Sequence, residues 1–160
     1  MAAHHGPDGP DPPRAAAVDD AAQALLATWD AAREQATPRL SGPQLNALMV
    51  VERAEGINLR GLATHLRMIL SSASRLCDRL VASGLLDREP GRADRREIAL
   101  YLTPSARQLL DDLRAARRAM LTVVLNRMSE SGRAALIRGL TEFATAAADE
   151  AGRTNPARTA

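Results

Sequence analysis

The sequence contains no lysine: all 21 of its basic residues are arginines. It is also poor in aromatics, with Trp29, Tyr101 and Phe143 the only three, and it has a single cysteine, Cys77. So few rings cannot build the aromatic platform on which single-stranded nucleic acid stacks. One cysteine excludes an internal disulfide framework and any multi-cysteine metal site, and it fits a reducing compartment. No window approaches the run of about 18 to 20 apolar residues needed to cross a bilayer. The N-terminal "MAAHHGPDGPDPPRAAA" lacks the basic start and apolar centre of a signal peptide. The sequence therefore reads as a soluble, cytoplasmic protein without membrane contact. Its 160 residues suit one compact domain with an added oligomerisation element.

The formal charge is only +2, so an electrostatic role depends on where the arginines lie. A GC-rich coding bias could by itself replace lysine with arginine. Between positions 60 and 96, however, eight arginines (Arg60, Arg67, Arg75, Arg79, Arg88, Arg92, Arg95, Arg96) meet four acids (Asp78, Asp87, Glu89, Asp94). That local excess points to an anionic partner. Its densest part is "EPGRADRRE", residues 89–97, which sets three arginines beside three acids between two apolar runs. Hairpin connections usually take about two to five residues, so a longer charged one calls for more than a solvated turn.

Residues 1–17, with several prolines and glycines, read as a mobile arm, and 152–160 as a flexible tail. Between them apolar residues recur with helical period, interrupted once by a period-two segment, which gives a mainly α protein with one small hairpin. A first helix over about 18–35 carries Val18, Ala22, Leu26, Trp29 and Arg33 on one stripe. A second starts at a capping box, Ser41 with Gln44, stapled by Leu40 on Leu45, and runs to about Glu55 before Gly56. Asn58 caps a short third helix that buries Leu59, Leu62, Ala63 and Leu66.

A fourth helix, over about 71–83, has two unlike sides. Ala73, Leu76, Cys77, Leu80 and Val81 make a core stripe, while Ser71, Arg75, Asp78 and Ala82 lie opposite, with Ser72, Ser74 and Arg79 on the flanks. Gly84 ends it and "LLDR" begins a strand. In "EIALYL", Ile98, Leu100 and Leu102 point one way and Glu97, Ala99 and Tyr101 the other. Thr103 and Pro104 then open a long helix to about Met128, and a last one over about 130–150 adds Leu136, Ile137, Leu140 and Phe143. These terminal helices carry more apolar surface than one chain needs, and a symmetric homodimer is the simplest way to cover it.

Two short helices joined by "RMIL", the second with an apolar back and a polar front, followed by a hairpin, make a winged helix-turn-helix. The major groove of double-stranded DNA admits such a helix, and short serines near its N-terminus let the backbone approach while an arginine reaches a guanine edge. An arginine-bearing hairpin tip can enter the adjacent minor groove, where the potential is negative. The stretches "LSGPQLNAL", "LATHLRMILSSASRLCDRLVASGLLDR" and "DRREIALYLT" resemble the MarR (multiple-antibiotic-resistance regulator) family of dimeric transcription factors.

The resemblance implies 18–40 as an N-terminal dimerisation helix, 41–103 as the DNA-binding lobe and 104–151 as C-terminal dimerisation helices. It implies a pseudo-palindromic operator and a small, often aromatic or anionic, effector between the lobes. Arg96 would be the minor-groove probe, Asp94 would brace its neighbours, and Arg92 and Arg95 would meet phosphates. Arg75 would read bases, with Arg60, Arg67 and Arg79 on the backbone. The sequence departs from the family's frequent Gly-Val-Ser-Pro at Arg67, Met68, Ile69 and Leu70, which removes a left-handed glycine and moves helix capping to Ser71 or Ser72.

Blander placements compete at several of these positions. Arg75 could instead be a solvated residue paired with Asp78, three positions on. Cys77 sits on the core stripe, unlike an exposed sensor thiolate. Arg33 could snorkel to solvent, or stand beside Trp29 as a cation for an effector carboxylate. His65 is a boundary residue, and His4 and His5 lie in the arm. No set of three zinc ligands and no convergent acid, base and nucleophile can be assembled, so neither an enzyme nor a cofactor is implied. The reading is a DNA-binding regulator, a repressor released by a small molecule. A ligand-independent regulator, an architectural DNA-binding protein or a protein-binding winged helix are the alternatives.

Overall fold

In a computed structural model, the structure describes residues 12–37, 39–91 and 97–154. The order is α1 (Pro12–Ala36), α2 (Gly42–Arg53), β1 (Ile57–Asn58), α3 (Leu59–His65), α4 (Leu70–Ala82), β2 (Leu86–Pro90), β3 (Ile98–Leu102), α5 (Pro104–Leu125) and α6 (Glu130–Thr154). This is the expected mainly α, winged helix-turn-helix arrangement. It divides into two compact units, one ending at Arg118 and the other beginning at Ala119.

The first unit is built around α4. Leu76, Cys77 and Leu80 pack with Leu45, Leu48 and Val51 of α2, Leu62 of α3, Leu86, Leu100 and Leu102 of the sheet, and Leu110 and Leu113 of α5. The caps form as the sequence indicates. Ser41 Oγ accepts from the Gln44 amide at 3.4 Å, and Gln44 Oε1 accepts from the Ser41 amide at 2.9 Å. Asn58 Oδ1 accepts from the Gly61 amide at 2.8 Å, while its Nδ2 donates to Glu97 Oε2 at 2.9 Å, so one side chain caps α3 and holds the wing just before β3 begins. Thr103 Oγ1 accepts from the Ala106 amide at 3.1 Å and donates to the Gly84 carbonyl at 2.8 Å, tying the start of α5 to the end of α4.

The sheet has three strands, in the order β1-β3-β2, rather than a lone hairpin. The two residues of β1 are too few to show alternation, and only their pairing with Leu100 and Ala99 defines them. Gly56 makes that pairing reachable with φ +82°; a Cβ there would also lie 3.1 Å from the Tyr101 hydroxyl. In the β2–β3 ladder, Leu86 faces Leu102 and Pro90 faces Ile98. Leu100 and Leu102 are buried but Ile98, on the same face, is exposed, so the outer end of the wing leaves the core. The Gly91 amide donates to the Glu97 carbonyl at 2.7 Å. Arg92, Asp94, Arg95 and Arg96 lie outside the described residues.

Several boundaries differ from the sequence reading. Helix α1 starts at Pro12, not near 18, because proline is tolerated in a first turn and alanine at 15–17 favours helix. Its buried residue is Ala32, whereas the Val18–Leu26–Trp29 stripe stays exposed. Helix α5 ends at Leu125, before Met128, and α6 continues to Thr154, past the expected start of the tail at 152. In the second unit, Ser129 Oγ caps α6 at the Gly132 amide (3.1 Å). The Arg133 guanidinium donates to the Leu125 and Met128 carbonyls at 3.1 and 3.2 Å, satisfying acceptors that the end of α5 leaves open.

The turn between α3 and α4 keeps the geometry of a glycine without having one. Arg67 takes φ +51°, the only non-glycine residue with positive φ among those described. Its amide donates to the Thr64 carbonyl at 3.2 Å and that of Met68 to the Ala63 carbonyl at 2.9 Å, the paired bonds of a Schellman closure. Holding an L side chain there costs about 1 to 2 kcal/mol. Replacing Arg67 by glycine removes that strain but adds freedom to the unfolded chain. We therefore expect Arg67→Gly to raise unfolding stability by about 0.5 to 1 kcal/mol and Arg67→Val to lower it by about 1 to 2 kcal/mol, both read from urea denaturation. Equal midpoints for the two variants would contradict this account.

Candidate nucleic-acid interface

Helix α4 turns two chemistries outward and inward by its period. Ala73, Leu76, Cys77 and Leu80 are buried; Ser71, Arg75, Asp78 and Arg79 are exposed, with Ser72 and Ser74 half-buried between them. The polar front expected from sequence is therefore assembled on one surface. Its start differs from expectation. The N-cap is Ile69, which offers no side-chain hydrogen bond, and neither Ser71 nor Ser72 caps the helix, since both are already inside it. The Ser72 and Ala73 amides bond to the Ile69 carbonyl, at 3.0 and 3.1 Å. Burial pushes the Cys77 thiol above its ordinary value, against a smaller opposing effect of the Arg88 charge and with a smaller reinforcing one from Asp78. The thiol is thus neutral and enclosed, a core residue in character.

The arginines on this surface divide into one that is engaged and four that are not. Asp78 pairs with Arg88 of β2, Nη2 to Oδ1 at 2.6 Å, and not with Arg75. This exposed bridge contributes little stability, in the range of about 0 to 1 kcal/mol, but it ties α4 to the wing. Arg75 and Asp78 share a helix face, whereas Arg88 lies ten positions from Asp78 in another element, and only the fold brings it near. Arg60, Arg67, Arg75 and Arg79 are all exposed, and none has an ion pair among the described residues. The cations of α5 behave differently. Arg114 bonds Glu52 of α2 as well as Asp111, and Arg107 bonds Glu55.

Trp29 and Arg33, the expected effector residues, each meet a different partner. Arg33 pairs with Asp30 one helical turn back, Nε to Oδ1 at 3.6 Å. The cation over Trp29 is instead Arg117 of α5, whose guanidinium carbon lies 5.1 Å from the ring centroid. Its Nε is buried without a hydrogen-bond partner. No local sequence signal links the two, because they lie on different helices far apart in the chain. A shallow hollow of about 470 Å³ lies nearby in the same unit, lined by Ala36, Pro104, Ser105, Gln108, Leu109 and Asp112, and therefore by neither Trp29 nor Arg33. Among the described residues no three His, Cys, Asp or Glu side chains cluster as a metal site, and no helix is long and apolar enough to cross a membrane.

Comparison with known proteins agrees with this geometry. A family model described as the MarR family matches residues 40–97, which span α2 through the residue before β3. An uncharacterized HTH-type transcriptional regulator of Bacillus subtilis (strain 168), YfiV, is 28% identical over 101 residues, covering 63% of each chain. The present chain thus spans somewhat under two thirds of that relative's length. Among solved structures, RV1404 from Mycobacterium tuberculosis superposes with a TM-score of 0.79 at 29% identity, over 89% of this chain and 98% of that one. A mutant MepR of S. aureus bound to an oligodeoxyribonucleotide gives 0.64 at 18% identity, over 83% and 96%, a likeness of fold alone. The helix order, the capped turn, the two-faced fourth helix and the wing all lie in or beside the matched segment, and over that segment the chain is similar to the MarR family.

Proposed function

We propose that this chain is a sequence-specific regulator of transcription that binds double-stranded DNA as a homodimer, a repressor released by a small molecule. The observation that carries the DNA-binding part is a set of exposed arginines without an ion pair among the described residues: Arg75 and Arg79 on the polar front of α4, and Arg60 and Arg67 in the elements that lead into it. In a helix laid into the major groove, Arg75 reads a guanine edge, the serines allow close approach, and the other arginines meet phosphates. Arg96, with Arg92, Asp94 and Arg95, would serve the minor groove by family resemblance. The Asp78–Arg88 bridge supports the reading, since it leaves Arg75 available. Similarity of residues 40–97 to a family of transcription regulators favours this over an enzyme.

Enrichment of bound sequences from randomised duplexes tests it, with a pseudo-palindrome as the expected product. On the enriched duplex, Arg75→Ala should lower affinity about tenfold to a hundredfold and relax one base position, while Arg79→Ala should weaken all sequences alike and reduce the salt slope by about one. Affinity unchanged by Arg75→Ala would remove α4 as the reader.

Dimerisation is supported by the apolar surface left open on the terminal helices: Phe143 is 64% and Ile137 61% exposed on α6, and Val18 and Leu26 are exposed on α1. Phe143→Arg should shift the protein from dimer to monomer in sedimentation experiments and weaken DNA binding with it. A dimer of parental stability would exclude α6 from the interface.

For the effector, an aromatic or anionic molecule would meet Trp29 and, in place of Arg33, the guanidinium of Arg117. Arg33→Ala should then leave effector-induced release from DNA intact, whereas Arg117→Gln should reduce it with DNA affinity unchanged. The reverse ranking would restore Arg33 to that role.

A further inference from the structure

The start of α4 breaks a rule that the other helices of the lobe obey. α2 and α3 begin with Ser41 and Asn58, each accepting a hydrogen bond from the first turn. α4 begins with Ile69, which makes no such bond and is among the poorest residues for the position. Its side chain is also not used in the core: it is 72% exposed, and Leu70 after it is 47% exposed. Two large apolar side chains thus stand in solvent at the head of the helix, about one and a half turns before Arg75. Serine at position 69 would improve the cap and remove apolar surface from water, so folding alone gives isoleucine no advantage there.

The residues at the head of a recognition helix are the ones that approach base edges. In the major groove, the only apolar group that a base pair presents is the C5 methyl of thymine. Exposed arginines precede and follow Ile69 and Leu70 in the chain, Arg67 in the turn and Arg75 within α4, cations that would hold the helix against phosphates. We infer that Ile69 and Leu70 read thymine methyl groups in each half-site, making the protein a discriminator of methylated from unmethylated pyrimidine at those positions. This inference rests on the proposed placement of α4 in the major groove. It adds what Arg75 cannot supply, because a guanidinium recognises acceptors and is indifferent to a methyl. Contact with one methyl is worth about a three- to fivefold change in affinity, and a two-fold symmetric dimer meets two, so about tenfold to twentyfold is expected for a complete site.

Deoxyuridine differs from thymidine only by that methyl. The full-length protein is first used to enrich its preferred duplex from a random pool. Affinity is then measured at fixed salt for that duplex and for copies in which each thymine of the half-sites is replaced, one symmetric pair at a time, by deoxyuridine. One pair should lower affinity by about tenfold to twentyfold, and Ile69→Ser combined with Leu70→Ala should abolish the difference while still binding the duplex. Thermal unfolding of Ile69→Ser alone should be no lower than the parent's. Equal binding of every deoxyuridine duplex by the parent overturns the inference and leaves the DNA-binding function standing. Discrimination that persists in the double variant overturns the assignment to these residues. Failure to enrich any duplex overturns the function on which the inference rests, and the inference with it.

Discussion

The burial of the inner stripe of α4 is the constraint on which the rest depends. Leu76, Cys77 and Leu80 are held between α2, α3, the sheet and α5, so the helix cannot rotate without exposing them. That fixes which side chains face out, and hence the spacing of Ser71, Arg75 and Arg79 on the surface. The hydrophobic contribution is non-directional in itself, but the 3.6-residue period converts it into an orientation. Around it, Asn58 joins α3 to the wing and Thr103 joins α4 to α5, so the positions of the neighbouring elements follow from a few polar bonds near the ends of helices.

Much of this lobe was legible in the sequence because the signals are local. The capping box at Ser41, the Asn58 cap, the apolar stripe of α4 and the alternation in β3 each need only a few consecutive residues. Features requiring two distant segments were not legible. The β1 strand exists only through its pairing with β3, Arg88 claims Asp78 from across a helix–strand junction, and Arg117 covers Trp29 from another helix. The turn at Arg67 is a different case. The missing glycine suggested a changed turn, yet the tertiary frame preserves the left-handed residue and its two hydrogen bonds with an arginine in place. Here the neighbours override a local preference of about 1 to 2 kcal/mol.

The surface thus combines positions that follow folding rules with two that break them. Arg67 is strained and Ile69 is a poor cap, and both lie in the four residues between α3 and the body of α4. Departures from local consistency concentrate where a molecule has work other than stability. In the terminal helices the pattern is simpler. Their exposed apolar side chains follow helical spacing and are ordinary in every respect except that a single copy of the chain leaves them uncovered.

The exposed cations around α4 are all guanidinium groups, and a guanidinium keeps its charge across the whole physiological pH range. Nor does the chain offer a lysine side chain whose acetylation could remove a positive charge. Acidification and lysine acylation, two ways in which a cell can weaken the grip of a basic surface, therefore leave these arginines fully charged. The positive charge of this face can then be offset only by adding negative charge beside it, for which Ser71, Ser72 and Ser74 are the neighbouring hydroxyls, or by moving the arginines apart.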